Sequence, residues 1–177
     1  DKVVGFGGNI TVANFLTLNS SDQYPIAMGD SMTNALKAIP GVKHVGRYAL
    51  TQGILKTDND FLGVILKGIG PDYDETFLKE NMISGTLPVF SDSKSHNQIV
   101  ISGRIAEKLN VKVGDRIFAY FINEQGVRTR RFTISGIYET NLQRFDETMC
   151  FTDLYTCVKL NGWGSDQASG AELEVSD

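Results

Sequence analysis

Residues able to do chemistry are sparse in this sequence, and their spacing decides how each is read. Cys150 and Cys157 lie seven positions apart in a stretch that reads strand, turn, helix. Two small buried apolar side chains is the first reading. A disulfide is the other, and two cysteines alone do not establish one. They form no metal site without further ligands. The only two histidines, His44 and His96, have no Cys, Asp or Glu at ligand-like spacing. "DYDE" (Asp72–Glu75) can hold Ca²⁺, but acids opening a helix are the simpler account. Asp92, Asp146 and Glu147 make a carboxylate pair only if the fold brings them together. "GFGG" (Gly5–Gly8) precedes the first strand instead of following it, the wrong context for dinucleotide binding. No GxSxG elbow and no HExxH motif occurs. The residues therefore predict no enzyme, with no catalytic, cofactor-binding or metal-ligating set.

One cluster remains. "FINEQGVRTRRF" (Phe121–Phe132) places three arginines within four residues of a chain whose formal net charge is -4. A solvated hairpin face is one account. An anion site is weakened by strand alternation, which sets Arg128 and Arg130 on one face and Arg131 on the other. A nucleic-acid site would want aromatic side chains interleaved for stacking, and the acidic balance argues against a general nucleic-acid binder. A third account is a partner-contact hairpin, since arginine is favoured at interfaces and a loop on a rigid sheet presents it well.

The elements that must carry these residues can be read in order. The 177 residues, 41% hydrophobic and 21% charged, suit one compact domain or two closely packed subdomains. About 70% of the unfolded surface can be buried at this length, so stability needs no metal or disulfide. No run approaches the ~18 apolar residues of a membrane span. The absence of an initiator Met and the closing "GAELEVSD" read as an excised soluble piece of a longer protein. Asn9–Phe15 reads as a strand, and "TLNSSDQYP" as a loop. Met32, Ala35, Leu36 and Ile39 form one helical stripe, capped by Asp30 or Ser31 and stopped by Pro40-Gly41. "VKHVGRYALTQGILKT" and "FLGVILKGI" flank "TDND" as a long hairpin, the second strand apolar enough to be central. A short helix follows from Asp72 through Met82, ended by Ser84-Gly85. "QIVISG" is a strand, "RIAEKLN" a helix, "KVGD" a turn and "RIFAYFIN" an alternating strand. "EQG" turns the chain into "VRTRRFTISGIYE". "TMCF" is a strand, Thr152-Asp153 caps a helix to Leu160, Asn161-Gly162 ends it, and "GAELEV" is the last strand. The expected class is α+β, with a β-rich insert between Pro71 and about Gln167 and a final strand returning to the first unit.

"AIPGVKHV", "KGIGPD", "ISGRIAEKLNVKVGD", "RFTISGIYETNLQRFDETMCFTDL" and "KLNGW", in this order, resemble the extracytoplasmic domains of FtsX-like ABC transporter permeases. That family includes the lipoprotein-releasing permeases LolC and LolE and the exporter MacB. The resemblance spans most of residues 9 to 175 and is nearest the lipoprotein-releasing branch. It implies a periplasmic domain of a bacterial inner-membrane protein, set between the first two of four membrane helices. It further implies a porter-like α+β subdomain (1–70 and 168–177, its C-terminal helix missing) with an inserted, smaller, Sabre-like β-rich subdomain (71–167). ATP would be bound by a separate domain or subunit, with no cofactor here. The implied role is carrying ATPase-driven motion to lipoprotein release or substrate export. The implied partners are a sister permease subunit, the cytoplasmic ATPase, and a periplasmic carrier or adaptor. Members of the LolC type bear a long carrier-capturing hook at the hairpin after the VGD strand, supported by a Gln-Arg pair. Here that hairpin is "NEQGVRT", too short for a hook, and Thr129-Arg130 stands where the pair would be, so only Arg130 matches. A LolE-type or exporter subunit with a different partner suits this departure better. Asn123, Glu124, Gln125, Gly126, Arg128 and Arg130 are the candidate partner-contact residues.

Overall fold

Strand β3 (Val42–Lys56) and strand β4 (Phe61–Ile69) form the long hairpin at the centre of the molecule, paired antiparallel from Tyr48↔Ile69 to Lys56↔Phe61. The structure is a computed structural model that describes residues 7–14, 16 and 24–176. β-Branched and aliphatic residues dominate both strands, and Asp60 closes the turn, its carbonyl accepting from Thr57 N at 2.9 Å. The fold is α+β, as the sequence predicts.

The first half of β3 extends one way and its second half another. Strand β1 (Gly7–Ala13) pairs with the last strand, β11 (Gly170–Ser176), which pairs with β3 between Tyr48 and Val42. The final strand does return to the first unit. The Asn9–Phe15 strand stops short of Phe15, which lies outside the described residues, as does most of the expected loop over 17–25. Strands β2 (Ile26–Ala27) and β10 (Gln167–Ala168) make a separate two-residue ladder.

At its other end β3 helps to close a barrel. Strand β6 (Gln98–Ser102) lies parallel to β8 (Gly126–Tyr138) and touches β9 (Met149–Asp153). Strand β9 runs parallel to β4. Strand β7 (Arg116–Asn123) pairs with β8 along its length and with β3 at Ile54↔Tyr120 through Lys56↔Phe118. Hydrogen bonding thus runs β3–β4–β9–β6–β8–β7 and back to β3. Strand β5 (Met82–Gly85) adds to the free side of β8. The sheet continues across residues 70 and 168, where the sequence sets its two subdomains apart.

One face of this ring holds the main core. Leu55, Leu66, Ile99, Ile101, Ile117, Ala119, Phe132 and Ile134 are all buried there. Helix α3 (Gly103–Leu109) adds Ile105, Ala106 and Leu109, and helix α5 (Leu154–Leu160) adds Leu154, Cys157 and Leu160. Both helices start on side-chain caps: Ser102 accepts from Ile105 N and Asp153 from Thr156 N. Asn110 ends α3 in the left-handed conformation. The opposite face carries a second cluster of Tyr48, Ile69, Val100, Tyr138 and Phe151. It is covered by α2 (Thr76–Glu80), α4 (Gln143–Thr148) and Phe90.

Three expectations are corrected. Helix α1 (Asp30–Lys37) is present, but Gly29 is its N-cap, not Asp30 or Ser31. Its apolar stripe is not its buried face: Thr33 is buried, Leu36 is half-buried, and Met32 and Ile39 are 45% and 49% exposed. Thr33 can be buried because its hydroxyl donates to Gly29 O at 3.0 Å. Helix α2 ends at Glu80, and Met82 to Gly85 form β5 because their backbone finds an open side of β8. Helix α4 was not expected at all. Its local signal is hidden because its organising contact is Asp146, a buried carboxylate accepting from Thr140 N, Thr140 Oγ1 and Asn141 N.

Candidate functional site

The β7–β8 hairpin carries all six predicted contact residues. Its register is unbroken from Arg116↔Thr133 to Asn123↔Gly126, so only Glu124 and Gln125 connect the strands. Gly126 takes φ +117°, a conformation a side chain would strain. Asn123 fixes the tip twice. Its Oδ1 accepts from Gln125 N at 2.8 Å, and its Nδ2 donates to Leu160 O at 2.9 Å. The second bond satisfies a carbonyl in the last turn of α5 that no helical N–H reaches. Arg128 donates to Gln125 Oε1 at 2.7 Å. The tip is therefore tied down.

Register separates the arginines. Arg128 lies opposite Phe121 and Arg130 opposite Ala119, both buried positions, so these two share the inner face near the barrel rim and are half-buried. Arg131 lies opposite Phe118 and is exposed. Beneath the tip is a cleft of about 460 Å³ lined by Asn123, Gln125, Thr51, Asn161 and Trp163 among others. Its floor is fixed by Thr51 Oγ1 to Asn161 Oδ1 at 2.8 Å and Asn161 Nδ2 to Leu50 O at 3.0 Å.

The other chemistry-bearing residues do not come together. Asp92 accepts from Arg47 at 2.7 Å, Asp146 is occupied by its own loop, and Glu147 meets Arg104 at 3.4 Å. Asp74 accepts from Thr76 N and Thr76 Oγ1, which holds its carboxyl below the usual carboxylate range. Among the described residues no group of three or more His, Cys, Asp and Glu could hold a metal ion. Cys150 and Cys157 are free thiols, both buried, and burial pushes both well up from the ordinary value of 9.0. Such thiols are poor nucleophiles at neutral pH.

A cluster the sequence did not reveal lies at a second cleft of about 310 Å³, beside β11 and the loop before α2. Lys67 Nζ donates to Glu172 Oε2 at 2.6 Å and to Tyr73 Oη at 2.8 Å, and Tyr73 donates to Glu172 Oε1 at 2.7 Å. Burial and then the Glu172 charge raise the Tyr73 hydroxyl, so it stays a proton donor. Lys67 and Glu172 are 105 positions apart, and no local pattern could have paired them.

The features that frame the comparison are a closed ring of strands, a pinned hairpin and a capped helix before the VGD turn. The model of the MacB-like periplasmic core domain family matches residues 4–169. The chain belongs to that family. It is a periplasmic domain of an FtsX- or MacB-like ABC transporter permease, a family whose members work with a membrane and an ATPase. The fold is similar to the extracellular domain of the noncanonic ABC-type transporter YknZ from Gram-positive bacteria. There the TM-score is 0.62 at 17% identity, covering 97% of this chain and 83% of that one. It is also similar to the periplasmic region of MacB from Actinobacillus actinomycetemcomitans. That TM-score is 0.64 at 20% identity, covering 96% and 74%. Comparison with curated proteins gives no match.

Proposed function

We propose that this MacB-like domain is a non-catalytic coupling element. It carries motion driven by a cytoplasmic ATPase to lipoprotein release or substrate export in a transporter paired with a sister permease subunit. ATP belongs to a separate domain or subunit, and this domain binds no cofactor. In this reading residues 1–70 and 168–177 form the porter-like part, and residues 71–167 the Sabre-like part. The observation that carries it is the pinned β7–β8 tip. Asn123 anchors it to α5, and β3 links its barrel to the β1–β11 end of the molecule. A rigid extremity transmits displacement, where a loose loop would absorb it.

The two-residue connection favours a partner other than one caught by a hook, such as a periplasmic adaptor or a hydrolase activator. A photoreactive residue at position 125 of the full-length permease tests both points. The expected result is an adduct with one protein, identifiable by mass, whose yield changes when ATPase turnover is arrested with vanadate. An adduct indifferent to arrest, or none, overturns coupling through this tip. A lipoprotein carrier as the adduct would overturn the adaptor reading alone.

A further inference from the structure

The face of the sheet opposite the barrel core is covered over β9, β6, the end of β8 and the Tyr48 and Ile69 ends of β3 and β4, and among the described residues it is open over β7 and the Lys56 and Phe61 ends of β3 and β4. Pairing register maps the open part directly, because residues opposite one another in antiparallel strands share a face. Phe61, Lys56, Phe118 and Arg131 form one row across β4, β3, β7 and β8. Gly63, Ile54, Tyr120 and Thr129 form the next, and Ile122 faces Val127 beyond it. These strands expose large apolar residues where a solvent-facing sheet would carry polar ones. Phe61 is 60% exposed, Phe118 45%, Ile122 72% and Val127 65%. A side chain built at Gly63 would meet nothing within 4 Å.

The strand positions of this face are cationic, while Asp58 and Glu124 are exposed in the turns that close β3–β4 and β7–β8. The outward strand positions of the face include Lys56, Arg116 and Arg131, and no Asp or Glu. None of the three cations takes part in an ion pair among the described residues. An apolar face with cations outside any ion pair along one end is complementary to apolar side chains flanked by carboxylates. A second copy is disfavoured, since a two-fold contact would pair two faces of the same cationic sign with no carboxylate on either set of strand positions. A lipid surface is disfavoured by position. In the permease reading the membrane helices adjoin the β1–β11 end of the molecule, at Val42 of β3, and the face lies at the opposite, Lys56 end of that strand.

We propose that the open face of β4, β3, β7 and β8 docks a protein partner that presents apolar side chains flanked by Asp or Glu. The proposal deepens the permease reading by giving the partner's chemistry and a surface wider than the hairpin tip. It is tested in the full-length permease with a photoreactive residue replacing Phe118. The expected adduct is with a protein whose cross-linked segment, mapped by mass spectrometry, carries acidic residues beside apolar ones. The double substitution Lys56→Glu/Arg131→Glu is expected to abolish it. Placing Lys at the mapped acidic positions of the partner is expected to restore it. An adduct with lipid, with a second permease copy or with a segment lacking carboxylates overturns the proposal. So does an adduct unchanged by the double substitution, or no adduct. Two controls are scored separately: absence of a copurifying ATPase with the unsubstituted permease counts against the permease reading, and an unchanged limited-proteolysis pattern of the double variant shows that the barrel still folds.

Discussion

Asn123 shows how a single side chain can set the shape of a candidate contact. It satisfies one backbone donor in the tip and one acceptor at the end of α5. Asn123→Ala should therefore lower stability by about 1–3 kcal/mol, because both backbone groups lose a partner. Asn123→Asp keeps the acceptor for Gln125 N but sets a carboxylate against Leu160 O at the negative end of α5, so it should cost more than Asn123→Ala. Urea unfolding of the three proteins checks the order, and equal midpoints would sink this account. The buried acids of the core give a second prediction at this scale. Cys150 and Cys157 are raised from 9.0 by burial, and Tyr73 and Tyr138 from 10.0 chiefly by burial. Each stays protonated when folded and ionises when unfolded above its ordinary value. The unfolded state then binds fewer protons, so stability is fully present below pH 9 and falls as pH rises beyond it. The slope approaches about 1.4 kcal/mol per pH unit for each group. Urea unfolding from pH 7 to 10.5 should show a plateau and then a fall that Cys150→Ala/Cys157→Ala makes shallower.

At the scale of elements, α5 packs tightly against β4. A side chain at Gly68 would meet Cys157 Cβ at 2.7 Å and Asp153 O at 2.9 Å. Gly68→Ala should cost about 1–3 kcal/mol through forced displacement of α5, and thermal unfolding reads this as a midpoint several degrees lower. Helix α1 makes the opposite case. Met32→Ala should change stability by less than about 0.5 kcal/mol, whereas Leu36→Ala, packed against the Met28 and Val45 cluster, should cost about 1–2 kcal/mol. A cost for Met32→Ala as large as that for Leu36→Ala would mean that the whole sequence stripe is buried. These two helices mark what could be read in advance. The β3–β4 hairpin, the β6–α3–β7 run and the two-residue β7–β8 turn are specified by neighbours in sequence, and their outlines were legible. The burial face of α1 depends on Val45 and Leu173, residues outside the helix. The outward face of β7 was legible as alternation, but not as apolar on both sides of the sheet. The six candidate positions lie along one hairpin. Their wider surroundings, Phe61, Ile54 and Lys56, come from a strand pairing between β3 and β7 that no local pattern encodes.

For the whole molecule, the decisive contacts are the ones that close the ring. Strand β4 pairs with β9 at Ile65↔Met149, and β3 pairs with β7 at Leu55↔Ala119. Both pairings cross the boundary at residue 70 that composition suggests. Without β3 and β4 the strands from 98 to 153 lose closure on two sides, and the core loses Ala49, Leu55, Val64 and Leu66. Edges left open in this way expose unpaired backbone and apolar surface, which favours aggregation over folding. The Lys67–Tyr73–Glu172 cluster adds a polar tie, joining β4, the loop before α2 and β11. A fragment of residues 71–167 should therefore lack a cooperative unfolding transition and show collapsed amide dispersion by NMR. A fragment of residues 42–167 restores the ring and should recover both, although it lacks β1 and β11. Cooperative folding of the shorter fragment would mean that residues 71–167 are an independent body. Motion between it and the rest would then be the coupling step. Failure of the shorter fragment with success of the longer one would place that motion elsewhere, at the junction where β11 leaves β3.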